Sequence, residues 1–269
     1  VTGTDNLTIG DTNVAASLAL NLVGAINAGS LSATNSIVMG AGNSITTTGS
    51  ATTASFTATS GADLIFGGGI NASQQATFTA AALASFGGIV SAPLITVTSA
   101  DIAIGSNGGL GSANTDDLEI NAAAPEQPII FGGDGSGGGY NLNATEATKL
   151  RSRTISFNAL QVSGAPAPDI TIRNFTMQGS LAGSSANLLA SDLFINSPGN
   201  IRVTGAIRIE NAGGEDGLFL SAESGRIEVV TDMGGSIAML GANGGLGGNL
   251  YLDARHIAVG KADLLVRLA

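Results

Sequence analysis

The apolar residues of this chain come in runs of three to five, and Gly, Asn, Asp and Ser separate one run from the next. Toward the C-terminal end the runs fall into a repeating order. Leu193-Phe194-Ile195 is followed by Ile201-Arg202-Val203 and Ile207-Arg208-Ile209. Leu218-Phe219-Leu220 is followed by Ile227-Glu228-Val229 and Ile237-Ala238-Met239, and Leu250-Tyr251-Leu252 by Ile257-Ala258-Val259 and Leu264-Leu265-Val266. In every triplet the outer two residues are apolar and the middle one varies, the alternation of a strand with one buried face. A three-residue strand buries too little to stand alone. Three cycles of three therefore predict coils stacked on one another, each strand bonded to its equivalent one coil away. The fold expected is all-β, a right-handed parallel β-helix with short three-strand coils. A β-sandwich would want longer strands and regular hairpin turns.

The N-terminal half repeats at a shorter period. Phe56, Phe78 and Val97 sit in the runs "ASFTAT", "ATFTAA" and "ITVTS", spaced by about twenty residues, a usual solenoid coil. Residues 72–86, "ASQQATFTAAALASF", also admit a helix, because Phe78, Ala82 and Phe86 have helical spacing among Ala and Gln. The strands on either side favour strand. By their Pro and Gly content, 122–128, 132–140 and 164–169 read as loops. In 142–153 one or two helical turns are expected, with Asn143 as N-cap and Glu146 three residues on. The organisation predicted is a Ser, Thr, Ala and Gly-rich β-helix over 1–121, a loop-rich interruption over 122–169 with its loop and short helix near 122–153, and a β-helix of three-strand coils over 170–269.

Composition sharpens this. Forty residues are Gly, 11% are charged, and Trp and Cys are absent, yet 43% are hydrophobic, so there is core material and no case for general disorder. Without Cys there are no disulfides or thiolate metal sites. No apolar run approaches the length of a membrane span. The net charge is −10, and the first basic residue is Lys149, so all ten Lys and Arg lie beyond residue 148. An acidic, base-free half argues against a nucleic-acid partner. It also has almost none of the Lys and Pro that usually protect flat strand surfaces. Val1 starts in mid-pattern, and neither terminus reads as a polar helical cap. The chain is therefore expected to be a portion of something longer, and to associate with itself end to end or along its uncharged flank.

Candidate chemistry is sparse. His256 is the only histidine; with Asp253 three residues before it and a serine a triad can be written, but no nucleophile elbow accompanies it. Glu215, Asp216, Glu223, Glu228 and Asp232, with Arg208 and Arg226 near them, are the carboxylates a polysaccharide lyase or hydrolase on a β-helix would need. If the coils align as above, however, Arg202 and Glu228 are outward neighbours in an ordinary cross-strand pair. The stretch "GGLGGNLYL" (244–252) follows a calcium-binding β-roll nonapeptide except that Asn249 replaces its essential Asp, and "GGDGSGGGY" (132–140) offers Asp134 without the spacing. Turn-forming glycine is the simpler account of both. Two outward ladders remain. Thr57/Thr59, Thr77/Thr79 and Thr96/Thr98 form Thr-x-Thr pairs on successive coils, an arrangement also found on β-helical ice-binding surfaces. Here the array is short, and Thr is a common outward strand residue. Phe194, Phe219 and Tyr251 are the middle residues of the three Leu triplets, and are expected to stack on one another or lie beneath a loop in preference to binding sugar rings.

Over 188–269 the segments "LFLSAESGRIEVVTDMGGSIAM" and "GGNLYLDARHIAVG" resemble the repeats of filamentous-haemagglutinin-like exoproteins of two-partner secretion systems, with autotransporter passengers close behind. Over 1–120 the resemblance is compositional. It implies a long right-handed β-helix carried to the surface of, or secreted by, a Gram-negative bacterium, acting as an adhesin or surface fibre. That family's secretion domain carries Asn-Pro signatures; Asn196-Ser197-Pro198 does not match them, so repeat shaft is expected. The function expected is structural and adhesive, with no catalytic residues, cofactor or metal. The partners expected are the chain itself and possible contact with a host surface, a neighbouring cell or a polysaccharide. The alternative is a β-helical polysaccharide lyase or hydrolase.

Overall fold

What joins one coil to the next is the register of apolar residues at the ends of each short strand. The computed structural model describes residues 1–123, 127–137, 139–161, 163–180, 191–241 and 247–260, and it divides into two units, Val1–Asn121 and Ala122–Ala269. In both, strands pair in parallel with their equivalents one coil away, and the fold is an all-β parallel β-helix.

In the first unit each coil contributes to three rows of strands. One row is a six-stranded sheet running from Leu7–Ile9 to Asp101–Ile104, with Leu7, Ile26, Ile45, Leu64, Ala84 and Ile102 aligned. A second aligns Leu31, Ala51, Ile70, Val90 and Leu110, and a third aligns Leu20, Met39, Ala58, Phe78 and Val97. Side-chain bonds between successive coils span 17 to 23 residues. The strands Ala51–Ser60 and Ile70–Ala80 run through two rows, bending where the register shifts between Ala72 and Gln75. The helical reading of 72–86 is thereby replaced by the strands Ile70–Ala80 and Leu83–Phe86, because a helix there would leave the neighbouring strands unpaired on both sides. The core holds a cluster of Phe56, Phe66, Phe78 and Phe86, each at most 1% exposed, with ring centroids 5.1 to 5.9 Å apart. Phe56 and Phe78 are not equivalents: Phe56 lies opposite Ala76 and Phe78 opposite Ala58. Large rings over small methyls let adjacent coils interdigitate without overpacking.

The second unit repeats the plan with longer coils. Leu193, Leu218 and Leu250 align, as do Ile195, Leu220 and Leu252. Ile201, Ile227 and Ile257 align, as do Ile207 and Ile237. These are the equivalences the triplets predict; Leu264-Leu265-Val266 lies outside the described residues. Spacing between bonded coils varies from 26 to 38 residues, so insertions occur at corners while the strand rows persist. The helix Ala144–Ala147 is capped as expected: Asn143 Oδ1 accepts the Glu146 N–H at 3.0 Å, and Glu146 Oε2 accepts the Asn143 N–H at 3.1 Å. The strands Ile129–Phe131 and Tyr140–Leu142 are parallel neighbours in register although only a short loop joins them. That return needs left-handed backbone, supplied by Gly132, Gly133, Gly135, Gly137 and Gly139 with φ between 80° and 133°.

Corners account for much of the remaining glycine. A Cβ on Gly68 would strike the backbone of Gly49, and one on Gly88 that of Gly68, so a glycine column lets successive corners stack at strand spacing. Corner N–H groups that no strand can satisfy are taken by Asn and Asp side chains of the neighbouring coil. Ala25 N donates to Asn6 Oδ1 and Ser30 N to Asp11 Oδ1, each at 2.7 Å; Ala206 N and Asn200 N donate to Asn174 and Asp169, each at 2.6 Å. The Ser30 backbone bond holds the Asp11 carboxyl below the usual carboxylate range.

Candidate interaction surfaces

With branched residues facing inward, the middle residue of each strand faces out, and parallel register lines these residues into rows. Thr57, Thr77 and Thr96 are in register, and so are Thr59, Thr79 and Thr98. The three pairs form a two-by-three hydroxyl array on one sheet. On its other side the rows continue as Val38 and Gly40, and Thr98 Oγ1 accepts a 3.4 Å bond from Asn121 Nδ2. The first unit's other rows are similarly uncharged: Thr8, Asn27, Thr46, Ile65 and Ser85 on one sheet, Asn13, Ser32, Thr52 and Asn71 on another.

Phe194, Phe219 and Tyr251 form a single column, with centroids 4.3 and 4.4 Å apart and ring planes within 10°. Beside it Asn196 Nδ2 donates to Asn158 Oδ1 at 2.8 Å. Within the column the ring faces cover one another, and edges meet solvent. A sugar ring packs on an aromatic face, so the geometry is that of mutual stacking.

Arg202 and Glu228 are in register, as the alignment of the triplets requires. Arg202 Nε lies 3.2 Å from Glu228 Oε2, and Arg226 Nη2 donates to the same oxygen at 2.9 Å. His256 is aligned with Arg226 one coil on.

The other candidates are dispersed. His256 and Asp253 are both exposed, and no hydrogen bond joins them. Glu215, Glu223 and Asp232 are exposed while Asp216 is buried, and no group of three or more His, Cys, Asp and Glu is arranged to hold a metal among the described residues. Asp134 accepts Ser136 Oγ at 2.6 Å and Ser136 N at 2.9 Å, which keep its carboxyl below the usual range. Arg173 closes the same loop by donating to Ser136 O at 2.5 Å. Residues 244–246 of the nonapeptide lie outside the described residues. A shallow, open recess beside the helix Ala144–Ala147 is lined by Thr145, Thr148, Asn174, Thr176 and Arg208. No carboxylate lines it, and Arg208 is paired with Glu210 at 3.2 Å.

Sequence reasoning missed the part played by Asp216. Its carboxylate is 1% exposed and accepts the N–H groups of Gly213 and Ser180, each at 2.8 Å. Asp192, in register with Gly217 on the neighbouring strand, is pushed above the usual carboxylate range, by burial first and by the charge of Asp216 second. An Asp directly before the last Gly of the glycine-rich turn "NAGGEDG" (211–217) was the available signal. Among the described residues no helix is long and apolar enough to cross a membrane. Set against protein-family models, curated proteins and solved structures, the chain matches none of them.

Proposed function

We propose that the chain is part of the β-helical shaft of a secreted or surface-attached exoprotein of a Gram-negative bacterium, of the filamentous-haemagglutinin-like two-partner-secretion type. Its role is structural and adhesive, without catalysis: a rod that associates with copies of itself and meets a polysaccharide or another cell through its outward rows. The observation that supports this reading is the uncharged, in-register face of the first unit, where Thr, Ser and Asn repeat coil after coil. Such a face has little of the charge that keeps sheet surfaces apart. Sedimentation of the full chain over a wide concentration range tests it. Concentration-dependent association that depends only weakly on salt is expected. A clean monomer at high concentration and low salt would remove self-association from the proposal.

A further inference from the structure

We infer that Arg202, Arg226 and Glu228 form a subsite for the uronic-acid residues of an acidic polysaccharide. This deepens the partner half of the reading above and rests on it for access to such a polymer. Both guanidinium groups converge on Glu228 Oε2, and neither guanidinium makes any other hydrogen bond or ion pair within the described residues. Most of their N–H donors are thus uncommitted, on side chains 50% and 53% exposed. Glu228 Oε1 is likewise without a donor. Its carboxylate is held between the two arginines, so the trio is pre-positioned and carries one net positive charge on a protein of net charge −10.

The chemistry on offer is specific. Two planar forks suit a carboxylate, and one free carboxylate oxygen requires a hydroxyl donor beside it. A sugar ring bearing both a carboxylate and vicinal hydroxyls supplies the two together. Sulfate and phosphodiester groups satisfy the forks but give Glu228 nothing to accept. A dense polyphosphate is further opposed by the overall negative charge. Thr171, in register with Arg202 one coil away, adds a hydroxyl along the same row.

Calorimetric titration of the full chain with polygalacturonate at low salt is the test. Saturable binding is expected, weakened about tenfold or more by R202Q and by R226Q, and weakened less by R202K, which keeps the charge but loses the fork. Fully methyl-esterified polygalacturonate, which has the same ring without a free carboxylate, should not bind. Because these side chains are half-exposed, the variants should melt with the parent. The subsite is overturned if polygalacturonate fails to bind or binds R202Q and R226Q unchanged, or if dextran sulfate or double-stranded DNA binds as tightly. A failure here leaves self-association, read by sedimentation, untouched.

Discussion

The rings of Phe219 and Tyr251 lie 4.4 Å apart with 3° between their planes, and Phe194 stands on the other side of Phe219 at 4.3 Å. Phe219 is thus the shared member of two stacks, and its loss removes both. F219A should destabilise the protein by about 2 kcal/mol, and a double-mutant cycle with F194A should give a coupling of about 0.5–1.5 kcal/mol. Additive effects in denaturant melts would mean that the column is mere proximity.

Eight positions along the strand Gly217–Val229 separate opposite outcomes. Leu220 is 1% exposed in the core, whereas Glu228 faces out between two arginines. L220D places a charge in a dry stack and should cost about 3 kcal/mol or more. E228Q should cost under about 1 kcal/mol. Thermal melts that rank the two the other way would show the strand register to be wrong.

Glycine at a stacked corner is a steric requirement, not a preference. G68A brings a methyl against the backbone of Gly49 and should destabilise by about 1–3 kcal/mol. At Gly10 nothing lies within 4 Å of an added Cβ, so G10A should stay within about 0.5 kcal/mol of the parent. Equal effects would contradict the close stacking of the corners.

Asp192 gives a pH signature. Burial and the Asp216 charge raise its carboxyl above the ordinary value of 3.8, so the folded protein holds that proton more tightly than the unfolded chain does. Ionising Asp192 therefore weakens the fold as pH rises through and beyond that range. D192N should melt higher than the parent at neutral pH, and the difference should disappear once the pH falls below the unfolded-chain value. A gain that persists in acid would point to a packing effect instead.

The rows of the second unit were legible because each triplet places apolar residues at both ends, and only the alignment of Leu193, Leu218 and Leu250 matches both ends of all three triplets. That alignment alone carries Arg202 onto Glu228. The Thr pairs were readable for the same reason, and so was the Asn143–Glu146 cap, whose signal is local. The offset of Phe56 against Phe78 was not legible, since a two-residue shift keeps both inside and only packing decides between them. Nor were the side chains serving corner N–H groups, such as Asn6, Asp11 and Asp169. An Asn or Asp in a turn looks the same whether it bonds its own turn or the coil beside it. The convergence of both arginines on one oxygen of Glu228 depends on rotamers, which spacing does not encode.

The stacked corners of the first unit also act as a gauge on chain length. Where Gly49, Gly68 and Gly88 touch backbone to backbone, an added residue has no room to loop out, and a missing one would turn every later side chain on that strand to the opposite face. Duplicating or deleting a whole coil preserves the strand register, whereas changing the length by one residue at such a corner shifts it. Such a segment can grow or shrink in evolution by quantised steps of one coil, while the second unit, whose corners already carry insertions, is free to diversify in its loops.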